Sequence, residues 1–197
     1  MNKWDERFAS EAFFYGEDPN QFFAETLRGM KDKGRLLLPA EGEGRNAVFA
    51  ASLGWEVHAF DSSKVAQQKA LGFALSEKVR INYELLDLAN FVPHPETYDM
   101  IALIFAHVHE GMREVFHRKM AQSLKKGGIL FVESFAKEQI HNNTGGPPDV
   151  HFLYSTEILK NDFTGFKVIK LCQQKTELDE GRHSGEADVV RFIGEKV

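Results

Sequence analysis

An α/β fold is predicted from three observations. Apolar runs alternate with helical patterns along most of the chain, a glycine turn follows the first run, and the last two runs have no long helix between them. Together they describe a wound sheet of five parallel strands that ends in an antiparallel hairpin.

The parallel strands fall at 35–39, 56–61, 80–86, 98–105 and 128–135. The hairpin strands fall at 166–173 and 187–195, joined by a polar connection over 178–185. Asp18-Pro19 reads as an N-cap and first-turn proline for a helix over 20–30, where Phe22, Phe23, Leu27 and Met30 share one face. Gly54 stands where a helix C-terminus takes a left-handed residue, and Ser62 or Ser63 opens a helix running to 75. The crossover after Leu86 reads as only partly helical. Ser155 or Thr156 caps a short helix through 162. The stretch 141–150, with Gly145-Gly146-Pro147-Pro148, is a long loop of the kind that forms lids or binding elements.

Composition narrows the function classes. The chain has 197 residues, 43% of them hydrophobic, with 17 Phe, which suits one domain with a sizeable core. A net charge of −5 and the absence of a basic run argue against unaided nucleic-acid binding. No apolar run approaches the ~20 residues of a membrane helix, and the first residues do not resemble a secretion signal. One cysteine, Cys172, precludes an internal disulfide. A cytoplasmic protein with no membrane or nucleic-acid partner is expected, as a monomer or homodimer.

The strongest local signal is Leu36-Leu37-Leu38-Pro39-Ala40-Glu41-Gly42-Glu43-Gly44-Arg45-Asn46-Ala47, an apolar strand, a glycine turn and a helix start. A ligand beyond the carboxyl end of the first strand lies at the switch point of a wound sheet. Gly42-x-Gly44-x-x-Ala47 also meets the short dinucleotide fingerprint, so charge is the better discriminator. A pyrophosphate at a helix N-terminus is disfavoured by acidic neighbours, and Glu41 and Glu43 stand inside this turn. A phosphate-free adenosine compound carrying a sulfonium and an ammonium is favoured by them. Asp61 closes the second strand, where a carboxylate accepts ribose hydroxyls, and Asp87 follows the third, within reach of an adenine amino group.

These residues, in this order, resemble the class I S-adenosylmethionine-dependent methyltransferases, and most closely the tellurite-resistance methyltransferase-like branch. The resemblance covers most of the chain: Tyr15-Gly16 with Pro19-Asn20, Glu41-Gly-Glu-Gly-Arg-Asn46, Gly54-Trp55-Glu56-Val57 leading to Asp61, and Tyr98-Asp99 with Ile104-Phe105-Ala106-His107. It continues through Ser123-Leu124 with Gly127-Gly128, Asn143-Thr144-Gly145-Gly146-Pro147 and Glu180-Gly181-x-His183-x-Gly185. It implies a Rossmann-like three-layer sandwich whose seven-stranded, mostly parallel sheet is closed by a C-terminal antiparallel hairpin. The parts are a helical cap segment (1–33), a cofactor-binding core (34–135) and an acceptor-side loop with the closing hairpin (136–197).

The resemblance further implies S-adenosyl-L-methionine as cofactor and a small-molecule methyl acceptor. The methionine end is expected at Ala40, Glu41, Gly42, Glu43, Gly44 and Asn46, the ribose at Asp61 and Ser62, adenine at Asp87 and Leu88, and methyl transfer beside Ile104, Phe105 and His107. His183 and Glu177 are carried to the acceptor side by the same resemblance. This chain departs from its relatives in three places. The general class has Asp, Gly and Cys near Leu38, Ala40 and Glu41. Val108-His109-Glu110 replaces a frequent Leu-Pro-Pro, and Lys126 stands where proline commonly precedes the two glycines. The middle change adjoins the expected acceptor pocket.

Among eight histidines, His107 and His109 at i and i+2 diverge on either regular structure, so no metal site is expected. His107 ends the fourth strand, where an imidazole orients an acceptor or takes its proton; holding the loop by hydrogen bonds is its structural alternative. His117, on a helix, reads as a surface or packing residue. Phe13, Phe14 and Tyr15 read as an N-terminal lid or as anchors of that segment. Two other functions remain in view: an NAD(P)-dependent oxidoreductase, opposed by Glu41 and Glu43 and by the hairpin, and a non-catalytic S-adenosylmethionine-binding module, which binds cofactor without turnover.

Overall fold

The computed structural model describes residues 3–197. A sheet of seven strands runs in the order β3-β2-β1-β4-β5-β7-β6. The strands are β1 (Arg35–Pro39), β2 (Glu56–Asp61), β3 (Asn82–Leu85), β4 (Tyr98–Ile104), β5 (Leu124–Phe135), β6 (Phe166–Glu180) and β7 (His183–Lys196). Strands β1 to β5 are mutually parallel, and β7 pairs antiparallel with both β5 and β6. The sheet order reverses between β1 and β4, which start in neighbouring positions and lead away to opposite edges. Ligands of wound sheets bind at that point, outside the carboxyl ends of the strands.

β1 is an unbroken apolar run because both of its faces are covered. Leu37 joins Ile101, Leu103, Phe116, Met120 and Tyr154 on one face. Leu36 and Leu38 join Phe23, Leu27, Ala47, Ala50 and Met100 on the other. The helices over these faces are α2 (Gln21–Gly29), α3 (Arg45–Ser52), α4 (Lys64–Ser76), α5 (Glu110–Ser123) and α6 (Thr156–Asp162), preceded by a short α1 (Lys3–Arg7). Ser63 caps α4 and Ser155 caps α6, each side chain accepting from a first-turn amide. Gly54 takes a left-handed φ of 92° just past the end of α3. None of the described helices is long and apolar enough to cross a membrane.

Four local expectations change. The cap of α2 is Asn20, whose side chain accepts from the Phe23 amide at 2.9 Å, and Asp18-Pro19 lie ahead of it. The helix starts there because Asn20 is held from outside: its own amide donates to Asn46 and its side-chain amide to Glu180. The hairpin is also longer than its apolar residues indicate. β6 and β7 stay in register to Glu180↔His183, leaving a turn of Gly181 and Arg182, where Gly181 has φ 58°. Its outer half is polar because it faces solvent on one side, while Leu178, Ala187 and Val189 alternate inward. β5 begins at Leu124, which pairs with Tyr98 ahead of an irregularity in the ladder. β3 is short and its crossover carries only a 3-10 turn (Leu88–Asn90), leaving a groove of about 210 Å³ bordered by His58, Phe60, Phe91 and Tyr98.

Candidate active site

The carboxyl ends of β1 and β4 lie side by side, and each ends in a residue that avoids the left-handed region unless held there. Ala40 has φ 52° and Phe105 φ 49°. Such strain persists only where surrounding structure imposes it, and it clusters at functional sites. Ala40 is followed by Glu41, whose amide donates to the Phe60 carbonyl of β2. Phe105 is fixed by its amide donating to the Glu133 carbonyl of β5 at 2.8 Å.

The glycine turn is braced from beneath. Gly42 donates its amide to Asp61 at 3.1 Å, and its carbonyl accepts the buried Tyr83 hydroxyl at 2.5 Å. Asp61 accepts a second bond from the Ser63 amide, which leaves each carboxylate oxygen with capacity for another donor. Burial raises its pKa, partly offset by those amides. Gly44, at φ 91°, lies so close to Ala70 of α4 that a β-carbon there would collide with it. This glycine serves the packing of α3 on α4. Phe8 of the N-terminal segment covers Gly42.

The two acidic residues of the turn have different fates. Glu41 is turned onto the N-terminus of α3, accepting from the Ala47 amide at 2.7 Å and the Asn46 side chain at 3.3 Å. Its carboxylate thus occupies the amides that a pyrophosphate would use. Burial pushes its pKa up to about 7. Glu43 instead accepts from the Phe14 amide at 2.7 Å and forms an ion pair with Lys69. Lys69 also donates to the Ser10 and Ala12 carbonyls, so this pair straps the N-terminal segment down. The expectation that both carboxylates favour a cationic ligand therefore narrows to Glu41, because Glu43 is paired with Lys69 of α4.

A polar network missing from the sequence reading lies behind the turn. Arg45 donates to Glu180 and to the Tyr15 and Asp18 carbonyls, and Asn20 links Asn46 to Glu180. Arg45 is thereby committed to the protein rather than to a ligand carboxylate. Glu133 and Arg191 form a second buried pair on adjacent strands, at 2.8 Å. Glu180 was visible in its motif, but nothing in the spacing linked it to Arg45.

On the far side of Phe105 the rings of Tyr15, Phe105, His107, Phe135 and His183 gather. Centroid distances are 4.5 Å for Tyr15–His183, 4.6 Å for Phe105–Phe135, 5.2 Å for Phe135–His183 and 5.5 Å for His107–Phe135. The loop 141–150 lies against this group: a β-carbon at Gly145 would strike the His183 ring, and one at Gly146 would press on Phe135. Buried Gln139 holds the loop by bonds to Thr144 and the Gly145 carbonyl. Burial lowers the pKa of His107 to about 4 and that of His183 to about 3, with Arg45 adding to the latter shift.

The remaining sequence candidates fall in two groups. Ser62 follows Asp61 at the edge, Asp87 caps the 3-10 turn by accepting from Ala89, Leu88 packs half-buried against the core, and Ile104 is buried beside Phe105. Glu177 is not brought to the ring cluster. It is exposed on β6 opposite Glu186, and strand alternation sends its neighbour Leu178 inward instead. His117 is buried, the packing alternative of the two expected for it, and its Nδ1 lies 2.7 Å from Asp162. Among the described residues no group of His, Cys, Asp and Glu forms a metal site.

Comparison with known proteins agrees with this architecture. Residues 39–128 match the family described as a methyltransferase domain. A solved structure concerned with converting a disulfide bond into a thioacetal group during echinomycin biosynthesis superposes with a TM-score of 0.76 at 16% identity, over 96% of this chain and 86% of that one. TehB from Haemophilus influenzae superposes with a TM-score of 0.73 at 16% identity, over 98% of this chain but 66% of TehB, a longer protein. The N-methyltransferase NodS from Bradyrhizobium japonicum WM9, solved with S-adenosyl-L-homocysteine, gives 0.73 at 11% identity over 98% and 96% of the two chains. A search of curated proteins finds no match. A methyltransferase-domain match over residues 39–128 thus lies within a chain whose whole fold is shared with methyltransferases of known structure.

Proposed function

We propose that this chain is one functional unit that moves a methyl group from S-adenosyl-L-methionine to a small-molecule acceptor. Its parts are the cap segment 1–33, the core 34–135 and the acceptor side 136–197. The observation that carries the reading is Glu41, a buried carboxylate laid across the α3 N-terminus at the switch point. It closes those amides to a diphosphate and offers negative charge to a cationic ligand.

The donor set suits the cofactor. Ala40 to Gly44 with Asn46 border its amino-acid end, Asp61 with Ser62 presents acceptors for ribose hydroxyls, and Asp87 with Leu88 borders adenine. Ile104 and Phe105 lie toward the methyl. When bound, the cofactor supplies an already activated sulfonium methyl. The protein's share is alignment and exclusion of water, where positioning alone is worth ~7–11 kcal/mol in well-oriented reactions. Phe8 over Gly42 and the strapped segment 8–15 exclude water on one side, and the loop 141–150 does so on the other. The acceptor meets the ring cluster of Tyr15, Phe105, His107, Phe135 and His183. The sequence resemblance to the tellurite-resistance branch and the superposition on TehB support a metalloid oxyanion as one candidate, beside thiols and amines.

Calorimetry with S-adenosyl-L-homocysteine and with NADH tests the reading. Micromolar binding of the first and none of the second is expected. Tight NADH binding rejects it in favour of an oxidoreductase, and cofactor binding without turnover across an acceptor panel leaves only the binding-module alternative.

A further inference from the structure

The hydrogen bonding of His107 selects among acceptors. Its Nδ1 lies 3.0 Å from the Phe152 carbonyl, and a carbonyl only accepts, so Nδ1 carries the hydrogen. A neutral ring then has no hydrogen on Nε2. That nitrogen is buried and has no hydrogen-bond partner among the described residues. A buried acceptor left unpaired costs free energy, so a ligand donor is the natural complement. The ring stays neutral because its surroundings are aromatic: Phe135 stacks on it at 5.5 Å, and Phe105 and Tyr154 stand at 6.3 and 5.9 Å. Among the described residues no carboxylate acts on it, and the groups felt by the neighbouring His183 are Arg45, His107 itself and Arg7.

Resting on the methyl-transfer reading above, we infer that the acceptor is an uncharged small thiol that arrives with its proton and surrenders it to Nε2 of His107. The lone pair of Nε2 repels a fully deprotonated oxyanion, and Arg7 and Arg45 oppose an ammonium. Sulfur also suits the walls, since sulfur–aromatic contacts are favourable. The atoms balance. The thiol sulfur forms a bond to the methyl carbon, the donor's carbon–sulfonium bond breaks to leave a neutral thioether, and the S–H proton passes to Nε2. One positive charge enters on the sulfonium and one leaves on the imidazolium, so a water-poor site gains no net charge.

Three measurements on the full-length protein test this. Nitrogen NMR of the ligand-free protein at neutral pH is expected to show a protonated Nδ1 and an unprotonated Nε2 for His107; the opposite tautomer overturns the inference. Turnover of 2-mercaptoethanol is expected to exceed that of selenite and tellurite by about 100-fold in kcat/KM. His107→Gln is expected to lower kcat with 2-mercaptoethanol by roughly 100-fold, in the range of lost acid–base assistance, with the dissociation constant of S-adenosyl-L-homocysteine changed less than about twofold. Cofactor binding without thiol turnover, preferential oxyanion methylation, or full activity in His107→Gln overturns the thiol assignment while the cofactor reading stands. Failure to bind S-adenosyl-L-homocysteine removes the reading beneath it.

Discussion

Arg45, in the first turn of α3, and Glu180, at the end of β6, are joined at 2.5 Å with side chains only 9% and 8% exposed. Removing one partner of such a pair leaves the other charge buried and costs about 3–5 kcal/mol. Glu180→Ala is therefore expected to lower the urea unfolding free energy by ~3 kcal/mol or more. Adding Arg45→Met should recover much of that loss. A single substitution within ~0.5 kcal/mol of wild type would show that solvent reaches the pair.

Asp61 is expected to govern cofactor affinity through the ribose and through the shape of the turn, because it also accepts from Gly42 and Ser63. Asp61→Ala should weaken S-adenosyl-L-homocysteine binding by about 10-fold or more, from lost hydrogen bonds to a charged acceptor of ~1.5–3 kcal/mol. Calorimetry reads this directly, and an unchanged constant displaces the ribose from this residue.

Glu41 sets stability against binding. Its folded pKa of about 7 lies above the ordinary carboxylate value, so the folded chain binds more protons than the unfolded one between about pH 4.5 and 7. Stability from this group is present at low pH and lost as pH rises through 7. Glu41→Gln, which keeps an acceptor for Ala47, is expected to stabilise the ligand-free protein at pH 8 by up to ~3 kcal/mol. It should weaken S-adenosyl-L-homocysteine binding at the same pH. Melting curves at pH 5 and 8 separate the two effects, and equal shifts at both would exclude a titrating Glu41.

His107 works in the opposite sense. Its folded pKa of about 4 lies below the unfolded value near 6.5, so the unfolded chain takes up the extra proton on acidification. Stability is intact above about pH 6.5 and falls as pH drops toward 4. His107→Gln should remove ~3 kcal/mol of that acid sensitivity by pH 4 relative to wild type. Urea midpoints at pH 7 and 4 give the difference, and parallel losses in both proteins would contradict it.

Much of the fold was legible because the core strands are short apolar runs and two of the helices have serine caps, at Ser63 and Ser155. The outer hairpin was not, because residues 174 to 186 alternate between solvent and interior and carry few apolar markers. Asp61 ends β2 and Ala40 directly follows β1 as expected, whereas His107 lies three residues beyond the end of β4. Side-chain partners over long separations could not be read. Lys69 cancels Glu43 across 26 positions and Glu180 engages Arg45 across 135, and no periodicity encodes either pairing. His107 was placed by its strand, but its tautomer rests on the Phe152 carbonyl 45 residues away.

β7, the last strand of the chain, inserts between β5 and β6, and the hairpin tip donates from Arg182 to the Phe14 carbonyl. During translation, β5 is therefore an open sheet edge until residues 183–196 have emerged from the ribosome, a condition that invites edge-to-edge aggregation. The Arg45 and Asn20 bonds to Glu180 likewise wait for residue 180. A nascent chain stalled before that point keeps the Asp61 and Tyr83 bonds to the glycine turn but leaves Arg45 and Asn20 without the carboxylate that joins them.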